Sequence, residues 1–409
     1  MRILFITHYF EPDSGAAAVR LSRLARLLLQ RGHQVTVLTT MPHYPQGRIA
    51  EGYRGKFSLV EERDGLRIVR AWLWATPSAK ISRRLISQIT FMMTAFLRGL
   101  RLPHPDVIFI EAQPIFTSLA GTILSHLKRV PYVLNVSDIW PEYLLAIGAM
   151  TEKHLLFRMF RALVNSNERG AAGIVALYPP IVANIEKRIG SVENIRVIYN
   201  AVDLTRFRPR LDTTEFRKKY DLGDKRLVSF VGTFGTHIDF ETLLAVAAHF
   251  NGREDVRFVF IGTGGQRETI RQRLEGGDLS NVCWIGWIDH GEMPLAWCAS
   301  YITYWAIHNH ELYRSILQSK MYEAMACGVP LAIATEGITS EMVERSQSGL
   351  TVPFGDVQGF IHIIERLLDD EAFHRQCSLA GHAYAEANFK PDNVVQAYED
   401  VLTAAIQWR

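Results

Sequence analysis

A chain of 409 residues with 48% hydrophobic content can fill two cores, and its 21% charged and 11% aromatic residues are ordinary for a globular enzyme. The opening MRILFITHYF is not expected to act as a secretory signal, because His8 and Tyr9 interrupt its short apolar run, and no run of about 18 apolar residues promises a membrane span. The net charge of +3 divides unevenly, with 25 Lys and Arg against 14 Asp and Glu in residues 1–200, and 20 against 28 in the remainder.

Along the chain, Ile3–Thr7 reads as a buried strand and Gly15 lies in the loop after it. Apolar residues at helical spacing (Val19, Leu21, Leu24, Leu27, Leu28) mark a helix over Ala16–Arg31, which Gly32 ends, and Gln34–Thr39 is the next strand. Strand, helix, strand at this spacing is a βαβ unit and implies a parallel sheet. Further strands are predicted at Val107–Ile110, Tyr132–Val136, Gly173–Leu177 and Ile195–Tyr199. After Asp203 the pattern loosens into a polar connection, and the cycle restarts at Leu227–Val231 with a helix near Phe240–Phe250. Strands at Arg257–Ile261, Val282–Ile285, Tyr301–Tyr304 and Pro330–Ala334 follow, and an amphipathic helix closes the chain. The expectation is an α/β protein of two doubly wound parallel-sheet domains, 1–203 and 227–388, joined by 204–226, with a helix over 389–409 returning to the first domain.

The four cysteines (Cys283, Cys298, Cys327, Cys377) include no closely spaced pair, which fits reduced thiols in a cytoplasmic protein better than disulfides or a zinc site, so no metal is expected. The basic first part suits an anionic partner, such as a membrane or a phosphorylated acceptor, or simply carries an uneven surface. Basic residues are scattered rather than interleaved with aromatics, which speaks against nucleic acid. Gly262-Thr-Gly-Gly265 lacks the third glycine of a dinucleotide fingerprint, which disfavours a dehydrogenase.

The stretch Ser319-Lys-Met-Tyr-Glu-Ala-Met-Ala-Cys-Gly-Val-Pro330 carries the most chemistry. Gly328 and Pro330 close a short helix, and Lys320 and Glu323, three apart, project from one side of its first turn. A helix start with an added ammonium suits a diphosphate, and one carboxylate can accept from both hydroxyls of a ribose. The bland alternative is a surface ion pair.

This segment resembles the donor-site helix of the family-4 retaining glycosyltransferases, which have the GT-B fold. Similar in the same sense are Val197-Ile-Tyr-Asn-Ala-Val-Asp203 with Phe207 and Pro209, Phe260-Ile-Gly-Thr-Gly264, Asn281-Val-Cys-Trp-Ile-Gly286 and the stretch 349–356. HYFEPDSGAAAVRL, PHYPQGRI and NVSDIWPE are most like the branch holding L-fucosamine, colanic-acid and O-antigen transferases. The resemblance implies two domains across a cleft, the first binding a glycan or lipid-linked acceptor and the second a nucleotide-sugar, UDP-linked by expectation, with no cofactor or metal.

It also implies roles. Gly15 would let its backbone approach the donor diphosphate, unless it is a plain helix-start glycine. Gly232, Thr233 and His237 would line one wall of the phosphate site, and Ile316, Leu317, Gln318 and Ser319 would offer backbone N–H groups from the other. Trp287 and Ile288 fall where the family holds the nucleotide base, although a Trp there reads equally as core. Lys320, Glu323 and Asp138 are the candidate catalytic residues, and His43, Tyr44, Ser137, Asp138 and Trp140 the candidate acceptor site. Asp138 is either a base or orienting group for the acceptor hydroxyl, or an N-cap for the helix after Pro141.

The sequence departs from the family in carrying Ser315 where a sugar-contacting Glu is frequent, and Ser137 where a His is. Thr236 and His237 stand within the segment that usually supplies Arg and Lys. These departures leave Lys320 as the evident cation for the leaving diphosphate, and keep open a non-catalytic binding subunit or an epimerase of the same fold. Finally, Ile81, Leu85, Ile89, Met92, Phe96 and Leu100 form one helical stripe among basic residues. Ile81–Leu102 is therefore either a peripheral membrane contact or a helix packed on its own sheet.

Overall fold

In the computed structural model the apolar runs read from the sequence become the middle strands of two separate sheets. Residues 1–409 are described apart from Ala79, Ile147, Gly277, Asp278, Ile316 and Arg409. The chain divides into one compact unit of Met1–Asn200 with Asp392–Arg409, and a second of Ala201–Pro391.

The first sheet comprises β1 (Arg2–Ile6), β2 (Gln34–Thr40), β3 (Ser58–Arg63), β4 (Leu66–Ala71), β5 (Val107–Glu111), β6 (Tyr132–Val136), β7 (Gly173–Ala176) and β8 (Ile195–Val197). Its order is β3-β4-β2-β1-β5-β6-β7-β8, parallel except where edge strand β3 runs against β4. β1 sits centrally, with Ile3 opposite Val35 on one side and Val107 on the other. The strands β1, β5 and β6 are buried almost throughout, as parallel strands covered on both faces must be.

The helix Ala16–Gln30 buries Leu21, Leu24 and Leu28 against this sheet, but Val19, counted on the apolar side from the sequence, is 56% exposed. Gly32 has φ +85 and terminates it, as expected of a left-handed cap. The helix Pro391–Gln407 lies on the same unit through Val394, Tyr398, Val401 and Leu402, and Tyr398 Oη donates to Asn135 Oδ1 at 2.9 Å.

The second sheet comprises β9 (Arg226–Val231), β10 (Val256–Ile261), β11 (Val282–Gly286), β12 (Ser300–Ala306), β13 (Leu331–Ala334) and β14 (Gly349–Val352). All pairs are parallel, in the order β11-β10-β9-β12-β13-β14. Strands following β9 step outward on one side and those from β12 on the other, so the order reverses between β9 and β12. In open α/β sheets ligands bind beyond the carboxyl ends of the strands at such a reversal. No helix among the described residues is long and apolar enough to cross a membrane.

Candidate functional site

In the second unit the carboxyl ends of β9, β10 and β11 open onto a cavity of about 310 Å³. Gly232 and Thr233 follow β9, Gly262 and Thr263 follow β10, and Trp287, Ile288 and His290 follow β11; Lys320 closes the other wall. Gly262 lets these ends converge. Its φ is +140, its N–H donates to Gly286 O at 2.7 Å, and a Cβ there would lie 1.8 Å from Gly232 O. Only glycine takes that backbone conformation at low cost.

Lys320 opens the helix Lys320–Ala326, and its Nζ donates to both Glu323 oxygens at 3.0 and 3.1 Å. Trp297, fully buried in the helix Met293–Ala299, donates its Nε1–H to Glu323 Oε2 at 3.1 Å. The carboxylate is therefore held in place from behind while the ammonium is left at the cavity wall. Two amides at this helix start are already spent, since Met321 N–H donates to Gln318 O and Tyr322 N–H to Ser319 O. The helix start thus offers an anion fewer N–H groups than the sequence suggested, and the charge of Lys320 carries more of the task.

Of the other donor-side residues, Gly232, Thr233, Ile288 and Lys320 line the cavity. Ile288 is buried where it lines the cavity, whereas Trp287 is 70% exposed at the rim and so is not the core residue that the sequence allowed. Leu317 and Gln318 are half-buried and Ser319 is exposed just before the helix, while Ile316 lies outside the described residues. His237 does not line the cavity; its ring packs against Gly235 and Tyr313, and burial with the neighbouring His308 lowers its pKa. It is neutral at pH 7. His290 was not singled out from the sequence, although its place in the loop after β11 was a signal. Burial lowers its pKa, with Glu323 opposing and Lys320 reinforcing that shift, which sets His290 beside the pair.

A larger groove of about 690 Å³ in the same unit is lined by Glu241, Ala245, Gln272 and Arg273. Those residues come from helices Phe240–His249 and Arg267–Glu275, no strand end reaches it, and Arg273 pairs with Glu241 at 2.6 Å. It lacks the convergence that β9, β10 and β11 give the smaller cavity.

The structure also pairs two cysteines that sequence spacing kept apart. Cys298, next to Trp297, contacts Cys327 at the end of the Lys320 helix. The hydrogen bond from Cys327, together with the N–H groups of Leu211 and Arg210, holds Cys298 below the usual thiol range, at about 7, against the opposing effect of burial. Alkylation of Cys298 by iodoacetamide is therefore expected to set in at lower pH than that of Cys283, whose thiol burial pushes up. Peptide mass spectrometry across a pH series measures it, and a midpoint no different from that of Cys283 contradicts the geometry.

In the first unit the acceptor candidates fall into two groups. Tyr44 lies over Gly15, where a Cβ would come within 3.2 Å of the ring. Gly15 has φ −72 at the head of its helix, so no unusual backbone angle demands glycine there. The N–H groups of His43 and Tyr44 both donate to Asp13 Oδ1 at 2.9 Å, and Asp13 Oδ2 is buried without a hydrogen bond. Burial lowers the His43 pKa, so this histidine is a neutral group packed near His8 and Tyr9.

The second group gathers at the ends of β5 and β6. Ser137 Oγ donates to Glu111 and accepts from Arg20 at 2.7 Å, Arg20 pairs with Glu111 at 2.8 Å, and Asn135 Nδ2 donates to Glu111 at 2.6 Å. The Ser137 hydroxyl is thus already engaged. Asp138 is exposed at its surface, yet the packed surround raises its pKa by desolvation, with Arg20 working the other way. Gln113 Nε2 donates to the Asp138 backbone O at 3.0 Å, and at the start of the helix Glu142–Ala146 the N–H groups of Tyr143 and Leu144 donate to Ile139 O and Pro141 O. Trp140 packs on Phe160 with ring centroids 5.0 Å apart. Arg20 and Glu111 escaped the sequence reading, although a carboxylate ending the apolar strand VIFIE was a visible signal.

Among the described residues no group of three His, Cys, Asp or Glu side chains is arranged to hold a metal ion. A family model described as a glycosyl transferase 4-like domain matches residues 15–201, and one described as glycosyl transferases group 1 matches residues 225–370. The chain is 24% identical to the 2-deoxystreptamine N-acetyl-D-glucosaminyltransferase of Streptomyces fradiae, over 98% of this chain and 96% of that protein. It is 20% identical to the Escherichia coli K12 protein named "Putative colanic acid biosynthesis glycosyl transferase WcaI", over 83% of this chain and 84% of the relative. The solved structure of Anabaena HepE in complex with UDP is similar with a TM-score of 0.74 at 17% identity, covering 99% of this chain and 100% of that one.

Proposed function

Because the chain is a glycosyltransferase of the GT-B fold, we propose that it transfers a sugar from a UDP-sugar, bound by the second unit, to a glycan or lipid-linked acceptor bound by the first, with retention at the anomeric carbon. The observation carrying this reading is the cavity at the reversal of strand order, with Lys320 on its wall and Glu323 fixed beside it by Trp297. The UDP complex of the fold neighbour supports the donor and the colanic acid relative supports a glycan acceptor, whereas the Streptomyces fradiae relative is named for the small acceptor 2-deoxystreptamine.

On this reading the diphosphate draws Lys320 Nζ away from Glu323, and the freed carboxylate oxygen accepts from the ribose hydroxyls. The exposed ring of Trp287 covers the base. As the anomeric bond breaks, negative charge grows on the leaving phosphate, and the preplaced ammonium stabilises it without a further rearrangement. The acceptor hydroxyl gives its proton to that phosphate on the same face. Charge neutralisation is assigned to Lys320.

A thermal-shift series with UDP-, GDP-, ADP- and dTDP-sugars tests the donor. A ligand at 100 times its Kd stabilises by about 2.7 kcal/mol, which raises the melting temperature of a domain of this size by roughly 5–10 °C. The UDP-sugar is expected to give that rise alone. Equal, negligible shifts for all four contradict the donor site, and a rise with another base only corrects the nucleotide.

A further inference from the structure

The helix Ile81–Leu100 is apolar on two sides. Its inner side buries Phe91, Ala95 and Gly99, and packs Met92 and Phe96 against the core. Its outer side presents Ile86 (49% exposed), Ile89 (36%), Met93 (58%), Leu97 (51%) and Leu100 (43%), at spacings of three and four that keep them in one row. The stripe read from the sequence mixed these two sides.

The neighbouring helix Ile115–Lys128 extends the row. The two helices close tightly where a Cβ on Gly99 would come 2.4 Å from Leu124, and Lys128 Nζ donates to Leu100 O and Leu102 O at 3.3 and 3.0 Å. On that helix Ile123 and Leu127 are 38% and 60% exposed, one turn apart. Single exposed leucines are unremarkable, but seven large apolar side chains on two adjoining helices are not.

Charge identifies the occupant. Neither helix contains an acidic residue, and their ends carry Lys80, Arg83, Arg84, Arg101, Lys128 and Arg129. The two acids in the intervening segment are withdrawn: Asp106 pairs with Arg2 at 2.7 Å and Glu111 is buried. An apolar row with cationic ends and no anions matches a lipid surface bearing anionic headgroups, into which such a face sinks about 5–10 Å. A second copy of this chain would bring the same cations against each other.

We propose that the face formed by Ile86, Ile89, Met93, Leu97, Leu100, Ile123 and Leu127 docks the protein peripherally on an anionic membrane. It goes beyond the proposed reaction and stands independently of the donor.

The test is co-sedimentation of the full chain with phosphatidylcholine vesicles, with and without phosphatidylglycerol. Binding is expected only with phosphatidylglycerol and should weaken as salt is raised. Met93→Asp with Leu97→Asp alters exposed positions only, so the melting temperature should hold while binding falls at least ~10-fold. Arg83→Glu with Arg84→Glu should weaken binding by a similar factor, since each basic residue near the surface contributes roughly fivefold. Donor-induced thermal shifts should be unchanged in both variants, which separates failure here from failure of the donor assignment. Absence of binding to anionic vesicles, or binding that Met93→Asp with Leu97→Asp leaves intact, overturns the proposal. So does a dimer in size-exclusion chromatography that this pair converts to monomer without vesicle binding by the wild type.

Discussion

Lys320→Met is expected to reduce sugar transfer by roughly 10²–10³-fold, the loss typical when one preorganised group facing developing charge is removed. Met keeps the length and apolar stem but supplies no charge. Glu323 remains held by Trp297 at 3.1 Å, so the helix Lys320–Ala326 should keep its place. The Lys320–Glu323 pair is partly open to solvent and so contributes little to stability. A steady-state assay of UDP release, with acceptor and without it, should show kcat falling in both reactions at an unchanged melting temperature. His237 cannot compensate, being neutral and away from the cavity. Retention of more than about a third of wild-type activity would remove Lys320 from the chemistry.

Gly262→Ala should strongly destabilise the second unit. The new Cβ would meet Gly232 O at 1.8 Å, and the residue already has φ +140, a conformation closed to alanine without strain. Strain of this kind costs about 1–3 kcal/mol before the clash is counted, and relieving the clash means parting the ends of β9 and β10. A total above about 3 kcal/mol lowers the melting temperature by roughly 6–12 °C, or leaves the protein insoluble. Gly265→Ala is the internal comparison, because a Cβ there meets only Phe234 O at 4.0 Å. Circular dichroism melting of both variants decides it: Gly265→Ala should melt near the wild type, and a Gly262→Ala protein that did so would refute the packing described.

Much of the architecture was legible because parallel strands buried on both faces leave unmistakable apolar runs, such as VIFIE in β5 and RLVSFV in β9. The hairpin of β3 and β4 was passed over. Its outer strand SLVEER lies at an edge, half-exposed, without a clear alternation, and the turn signal Asp64-Gly65, both at positive φ, was the clue available. Lys320 and Glu323 were readable because both come from one helical turn. His290, Trp297 and Cys298 were not, because they reach Lys320, Glu323 and Cys327 only through folding. Likewise, periodicity revealed that Ile81–Leu100 is amphipathic, but a helix apolar on two sides has two candidate stripes. The close approach of Gly99 to Leu124 decides which one turns inward.

The donor is expected to occupy the cavity beyond β9, β10 and β11 against Lys320, rather than the wider groove between the helices Phe240–His249 and Arg267–Glu275. Hydrogen–deuterium exchange with and without UDP locates the bound nucleotide directly. Slower amide exchange is predicted in segments 231–235, 286–290 and 318–323, with 241–248 and 268–275 unchanged. Protection confined to 241–248 and 268–275, with none near Lys320, would contradict it.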